Sequence, residues 1–343
     1  MATLVLLVAS AGCGNDNSDR AAGLTDARAD TTVEGRVTVT GSSTVQPVSA
    51  VAAEAFRGQN DAVDISVEGP GTGDGLERFC EGGADIAGAS RPIQPEELAA
   101  CEAAGIEVIE LPIGRDGITV IVSTENQVPC LSFVDLYALV GPESSGFDRW
   151  RDAGDLAFDL RSELRFPDDR LVVTGPGEES GTYDSFVEQV LDPVTTRRIA
   201  EGVTGLDPGT ARADYAASAD DNTIVEGVAA EPGGLGWVSF AYAEQAEGVR
   251  EMPVARMPSE GCVAPTREAI QSGRYPIARA LYLYVARGRA DDPAVAAFVD
   301  FYLAGLDDFV AMSDYVPLAD PEATVEVWEG RVVGSREGEP AEG

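Results

Sequence analysis

The chain has 343 residues, enough for about two domains that each bury a core. Apolar content of 44% beside 24% charged residues is ordinary for a globular protein, but 59 acidic against 24 basic residues give a formal charge of -35, which argues against nucleic acid as a partner and reads as a solubility and salt-adaptation trait of the surface. There is no histidine, so Ser-His triads, His-ligated metals and histidine general bases are excluded.

The first stretch, MATLVLLVASAGCGNDNSDR, carries an apolar run of about eleven residues, too short to span a bilayer and the size of a signal-peptide core. It ends at Ala11, Gly12 and Cys13 in a lipobox-like pattern, although Ser10 replaces the usual leucine and no basic residue precedes the run. Residues 1–13 are therefore expected to be an export signal with Cys13 lipidated, and residues 14–32, polar and without aromatics, a flexible tether.

Strand and helix patterns then alternate. RVTVT (36–40) alternates as a strand, TVQPVSAVAAEAF (44–56) has one apolar helical face, and VDISVEG (63–69) returns to strand. GLERFCEGG, ADIAGAS, PEELAACEAAG and IEVIELP continue the series to Pro112, and GITVIVS (117–123) begins a second. That series holds SFVDLYALV, the strand RLVVTG, an amphipathic run from SGT to VEQVL, the helix TIVEGVAAEP, the strand GLGWVSF, the apolar strand ARALYLYVARG (278–288) and the helix DPAVAAFVDFYLAG (292–305). Such alternation predicts largely parallel sheets flanked by helices, with ligands at the carboxyl ends of strands.

Four turns leave predicted strands there: GSSTVQP, EGPGTGDGLERF, AGASRPI and TGPGEESGTYDSF. Each is rich in glycine and hydroxyls, and each alone reads equally well as a helix cap or tight turn. Together they offer donors for one oxyanion, with Arg91, directly after the Ser90 hydroxyl, as the cation among them. Cys80, Cys101, Cys130 and Cys262 form an even set suited to two disulfides, with three pairings open; the lack of any CxxC pair argues against a zinc site.

GSSTVQPVS, VEGPGTGDGLERFCEGGADIAGASRPI, GPGEESGTYDSF and SADDNTIVEGVAAEPGGLGWVSFAYAE, in this order, resemble the phosphate-binding proteins of Pst-type ABC importers, over residues 33–318. The resemblance implies an α/β, two-lobe periplasmic-binding-protein fold, each lobe a central mostly parallel sheet flanked by helices, with the ligand cleft between the lobes. Lobe 1 is expected at 31–115 plus 279–335 and lobe 2 at 116–278, with 336–343 a disordered tail. On that division Cys80 pairs with Cys101 and Cys130 with Cys262, so that neither bridge locks the hinge.

Carried onto this chain, the resemblance implies a phosphate site built from Ser43, Thr44, Val45, Thr72, Ser90, Ser180, Gly181 and Thr182. Family members place an aspartate after the third turn's GAS, where this chain has Arg91, and an arginine shortly before SGT, where it has the turn of Gly175 and Gly177. Arg91 is thus expected to supply the cation, and Asp74 or Glu179 to accept the ligand's proton. Tyr183, Asp184, Asp220, Asp221 and Asn222 are expected to buttress the second lobe. The implied protein is an exported, lipid-anchored monomer that delivers inorganic phosphate to ABC permease subunits, without cofactor, metal or catalysis. Other readings are a carrier of sulfate, molybdate or phosphonate, a phosphate sensor, or a phosphate-ester hydrolase, for which the chain lacks a GxSxG elbow.

Overall fold

A computed structural model describes residues 33–178 and 180–334. The expected signal, Cys13, the tether, Glu179 and the tail 336–343 lie outside the described residues. The strands are β1 (Gly35–Gly41), β2 (Val63–Val67), β3 (Ile86–Ala89), β4 (Val108–Ser123), β5 (Leu131–Ser132), β6 (Val172–Gly175), β7 (Ala216–Ala217), β8 (Gly234–Ser239), β9 (Val249–Glu251), β10 (Val254–Ala255) and β11 (Ala278–Ala286). Nine form one sheet in the order β2-β1-β3-β11-β4-β8-β6-β7, with β9 also on β4, while β10 pairs with β5 apart from it.

The sheet is mixed. β1 runs parallel to β2 and β3, and β6 parallel to β7 and β8, as the alternating sequence predicts. The centre is antiparallel: β11 lies against both β3 and β4, and β4 against β8. IEVIELP and GITVIVS, which read as two elements, are one sixteen-residue strand, β4. Pro112 cannot donate to a ladder, and the pairing of β4 with β11 shifts register beside it, between Leu281 and Tyr282.

The fold has two lobes that share β4. Its first half lies against β11 in one core with Val37, Ile65, Phe56, Phe298 and Trp328. Its second half joins another core around the helix Phe133–Val140, Trp150 and Trp237. Phe133–Val140 is buried at all eight positions, as a helix apolar all round must be. Trp237 stacks on Phe186, ring centroids 4.6 Å apart, which fixes the helix Gly181–Phe186 against the sheet. The disulfides are Cys80–Cys101 and Cys130–Cys262, the pairing expected.

Candidate functional site

Glycine packing and two backbone hydrogen bonds draw the first three turns together. The Ser42 amide donates to the Gly88 carbonyl at 2.8 Å, and the Gly71 amide to the Gly41 carbonyl at 3.0 Å. A Cβ on Gly75 would fall 2.2 Å from the Gly41 Cα, and Gly41 itself has φ 129°. Only bare backbone fits there. The helices Gln46–Arg57 and Thr72–Cys80 start at this junction, with their free amides beside it.

The resulting cavity, about 260 Å³, is lined by Ser42, Ser43, Thr44, Thr72, Ser90 and Arg91, joined by Asp184, Glu188 and Arg279. Thr72 and Ser90 hydroxyls lie 3.2 Å apart. Arg91 is committed to Glu97 in a bidentate pair at 2.8 and 2.7 Å, and donating to Glu97 raises the guanidinium's pKa further. At Glu97 burial opposes ionisation, but Arg91 and the Gln94 amide outweigh it and hold the carboxyl below its ordinary value.

Arg279 is the cation that the turns do not contain. It stands on β11 opposite Asp116 of β4, and its Nε donates to Asp116 Oδ2 at 3.3 Å. Nη1 donates to Glu188 Oε2 at 2.7 Å, while Nη2 donates to Thr44 Oγ1 at 2.6 Å and to Ser185 Oγ. The guanidinium therefore ties the first turn to the helix Gly181–Phe186 across the cleft. The sequence carried a signal: an arginine inside the apolar strand ARALYLYV must be paired if buried. The Asp184 carboxylate, carried on the same helix, makes no hydrogen bond or ion pair among the described residues. Its partial burial raises its pKa, with Arg279 opposing and Glu188 adding to the effect.

Ser180 and Thr182 line a second cavity, about 410 Å³, with Asp220, Asp221, Asn222, Ser239, Tyr242, Asp314 and Tyr315. The four turns thus line two neighbouring cavities rather than one. Ser180 caps its helix by accepting from the Thr182 amide at 3.2 Å, and Asp220 caps Asp221–Ala229 through the Asn222 amide at 2.9 Å. Tyr183 buttresses, accepting from the Ala211 amide at 3.1 Å. Asp221 carries a raised pKa from burial, then from Asp314 and Asp220. Ser239 Oγ is buried without a partner among the described residues. The Val45 amide donates to the Ser42 carbonyl at 3.1 Å, and Asp74 is exposed on the first turn of its helix and lines neither cavity.

Hydroxyls, helix amides and one part-buried arginine are the equipment of an oxyanion site. A family model described as the PBP superfamily domain matches residues 26–305. Protein SphX of Synechococcus elongatus is 36% identical over 285 residues, 82% of this chain and 77% of that one. The phosphate-binding protein PstS of Staphylococcus saprophyticus is 30% identical over 307 residues, 89% of this chain and 82% of that one. Among solved structures, a possible phosphate binding protein from Planctomyces limnophilus superposes with a TM-score of 0.76 at 30% identity, covering 88% of this chain and 99% of that one.

Proposed function

Because the chain belongs to the periplasmic-binding-protein superfamily, among its Pst-type phosphate-binding proteins, we propose that it captures inorganic phosphate between its lobes and delivers it to an ABC importer permease. The observation that carries the reading is the meeting of the Thr44, Thr72 and Ser90 hydroxyls with Arg279 in one cavity. Arg279 and those hydroxyls hold the anion, and Asp184 receives its proton's hydrogen bond. Sulfate, which brings no proton, meets an unpaired and repelled carboxylate.

The two cavities are, in this reading, halves of one site. Ser180, Gly181 and Thr182 join Thr44 and Thr72 when lobe 2, residues 116–278, closes on lobe 1, residues 31–115 and 279–335. β4 and the entry to β11 are the joint. The leader pattern ending at Cys13 supports export with a lipid anchor, and the described residues contain no helix long and apolar enough to cross a membrane. The protein binds and releases as a monomer; it does not turn its ligand over.

Calorimetric titration tests this. Phosphate is expected to bind and sulfate not. Arg279→Ala should weaken phosphate binding about 10- to 100-fold, the loss of a charge-assisted contact, and Arg91→Ala and Asp74→Asn less. Sulfate binding as tight as phosphate, or no phosphate binding, rejects the proposal.

A further inference from the structure

Among the described residues, the cavity that would receive an anion has no uncompensated positive charge. Arg91 is taken by Glu97, and Arg279 by Asp116 and Glu188. Asp184 and Glu188 both line the cavity; Glu188 spends one oxygen, Oε2, on Arg279, and Asp184 spends none among the described residues. The neighbouring phenols, Tyr183 beside Asp184, Tyr284 beside Arg91 and Tyr315 beside Arg279, are held neutral, each raised first by burial. A dianion entering here adds to an existing excess of carboxylate.

We propose that this site selects the singly charged form, dihydrogen phosphate, through the paired carboxylates Asp184 and Glu188. This rests on the phosphate reading above. Dihydrogen phosphate has two P–OH groups and two bare oxygens. The hydroxyls donate to Asp184 and to the free oxygen of Glu188; the bare oxygens accept from Arg279 and from Thr44, Thr72 and Ser90. Monohydrogen phosphate satisfies one carboxylate and leaves the other facing a like charge, and sulfate satisfies neither. Binding from a solution of monohydrogen phosphate therefore takes up one proton, which ends between ligand and carboxylate.

The experiment is calorimetric titration of the intact protein with sodium phosphate from pH 5.5 to 9, in two buffers of different ionisation heat, with sodium sulfate alongside. Above the ligand's second ionisation the apparent affinity should fall about tenfold per pH unit, because each unit removes about nine-tenths of the monoanion. About one proton should be taken up per phosphate at pH 8.5. Glu188→Gln, a substitution at an exposed side chain, should admit monohydrogen phosphate and reduce that uptake toward zero. Equal affinity at pH 6.5 and 8.5 without proton uptake overturns the proposal and leaves the phosphate reading standing. Sulfate binding weaker than phosphate but accompanied by proton uptake does the same, because it would mean that the carboxylates themselves take the protons. Absence of phosphate binding at every pH defeats the phosphate reading itself.

Discussion

At the scale of single residues, the site holds charge at a cost to stability. Asp184 and Asp221 have pKa values raised by burial, reinforced by Glu188 in one case and by Asp314 and Asp220 in the other. A carboxyl whose folded pKa lies above its unfolded value stabilises the fold fully below the unfolded pKa and loses that contribution as pH rises through the folded one. Asp184→Asn and Asp221→Asn should therefore each raise the melting temperature at pH 7 by about 2 °C, and the gain should vanish near pH 3, as scanning calorimetry at the two pH values would report. Asp214 is the opposite case: its hydrogen bond from Arg212 holds it at about 2. Its contribution is present above the unfolded value and is lost as pH falls through about 2.

At the scale of elements, the first three turns depend on close backbone approach. Gly75→Ala places a methyl 2.2 Å from the Gly41 Cα, and the neighbour is backbone, so the helix Thr72–Cys80 must move. The expected loss is about 1–3 kcal/mol of stability, together with weaker phosphate binding, measured by urea unfolding and calorimetry on one variant. A second element-level feature is the π-helical turn Val187–Leu191, the VEQVL end of the run from SGT, which lies between the α-helices Gly181–Phe186 and Asp192–Ala200 and carries Glu188. The sequence showed this stretch as one amphipathic helix, because periodicity does not register a single widened turn. Strands β1, β2, β3, β6 and β8 and the helices between them were legible from alternation and glycine punctuation. The union of two strands into β4 was not, since Pro112 is a sound reason to expect a break and only the register shift opposite it absorbs the missing donor.

Legibility of the site follows the same division. Thr44, Thr72 and Ser90 stand on turns, where glycine and hydroxyls mark them, and they meet in one cavity. Arg279 and Glu188 stand inside regular elements and become neighbours only through tertiary packing. Arg91 had the right charge in the right turn, but its helix start offers Glu97 at bidentate distance, which no local pattern distinguishes from an exposed first-turn acid.

For the whole molecule, net charge and crosslinks set the response to conditions. A formal charge of -35 implies self-repulsion that salt screens. Raising sodium chloride from 0.05 to 1 M should raise the melting temperature. In the chain-entropy view, the Cys80–Cys101 and Cys130–Cys262 bridges, separated by 21 and 132 residues, are worth about 3 and 5 kcal/mol. Reductant should shift the urea midpoint down accordingly.

The shared strand β4 also bears on how the chain reaches this state. From β4 onward, the core around Phe133–Val140 draws nearly all its residues from one uninterrupted stretch of sequence, whereas the other core must wait for β11, which belongs between β3 and β4. During synthesis the interior position of that sheet is filled by residues 278–286, after about four-fifths of the chain has emerged. Until then β3 and the first half of β4 have open edges toward one another, and a newly made chain presents unpaired backbone there. The last strand to arrive closes the sheet and, in the same movement, brings Arg279 to its place.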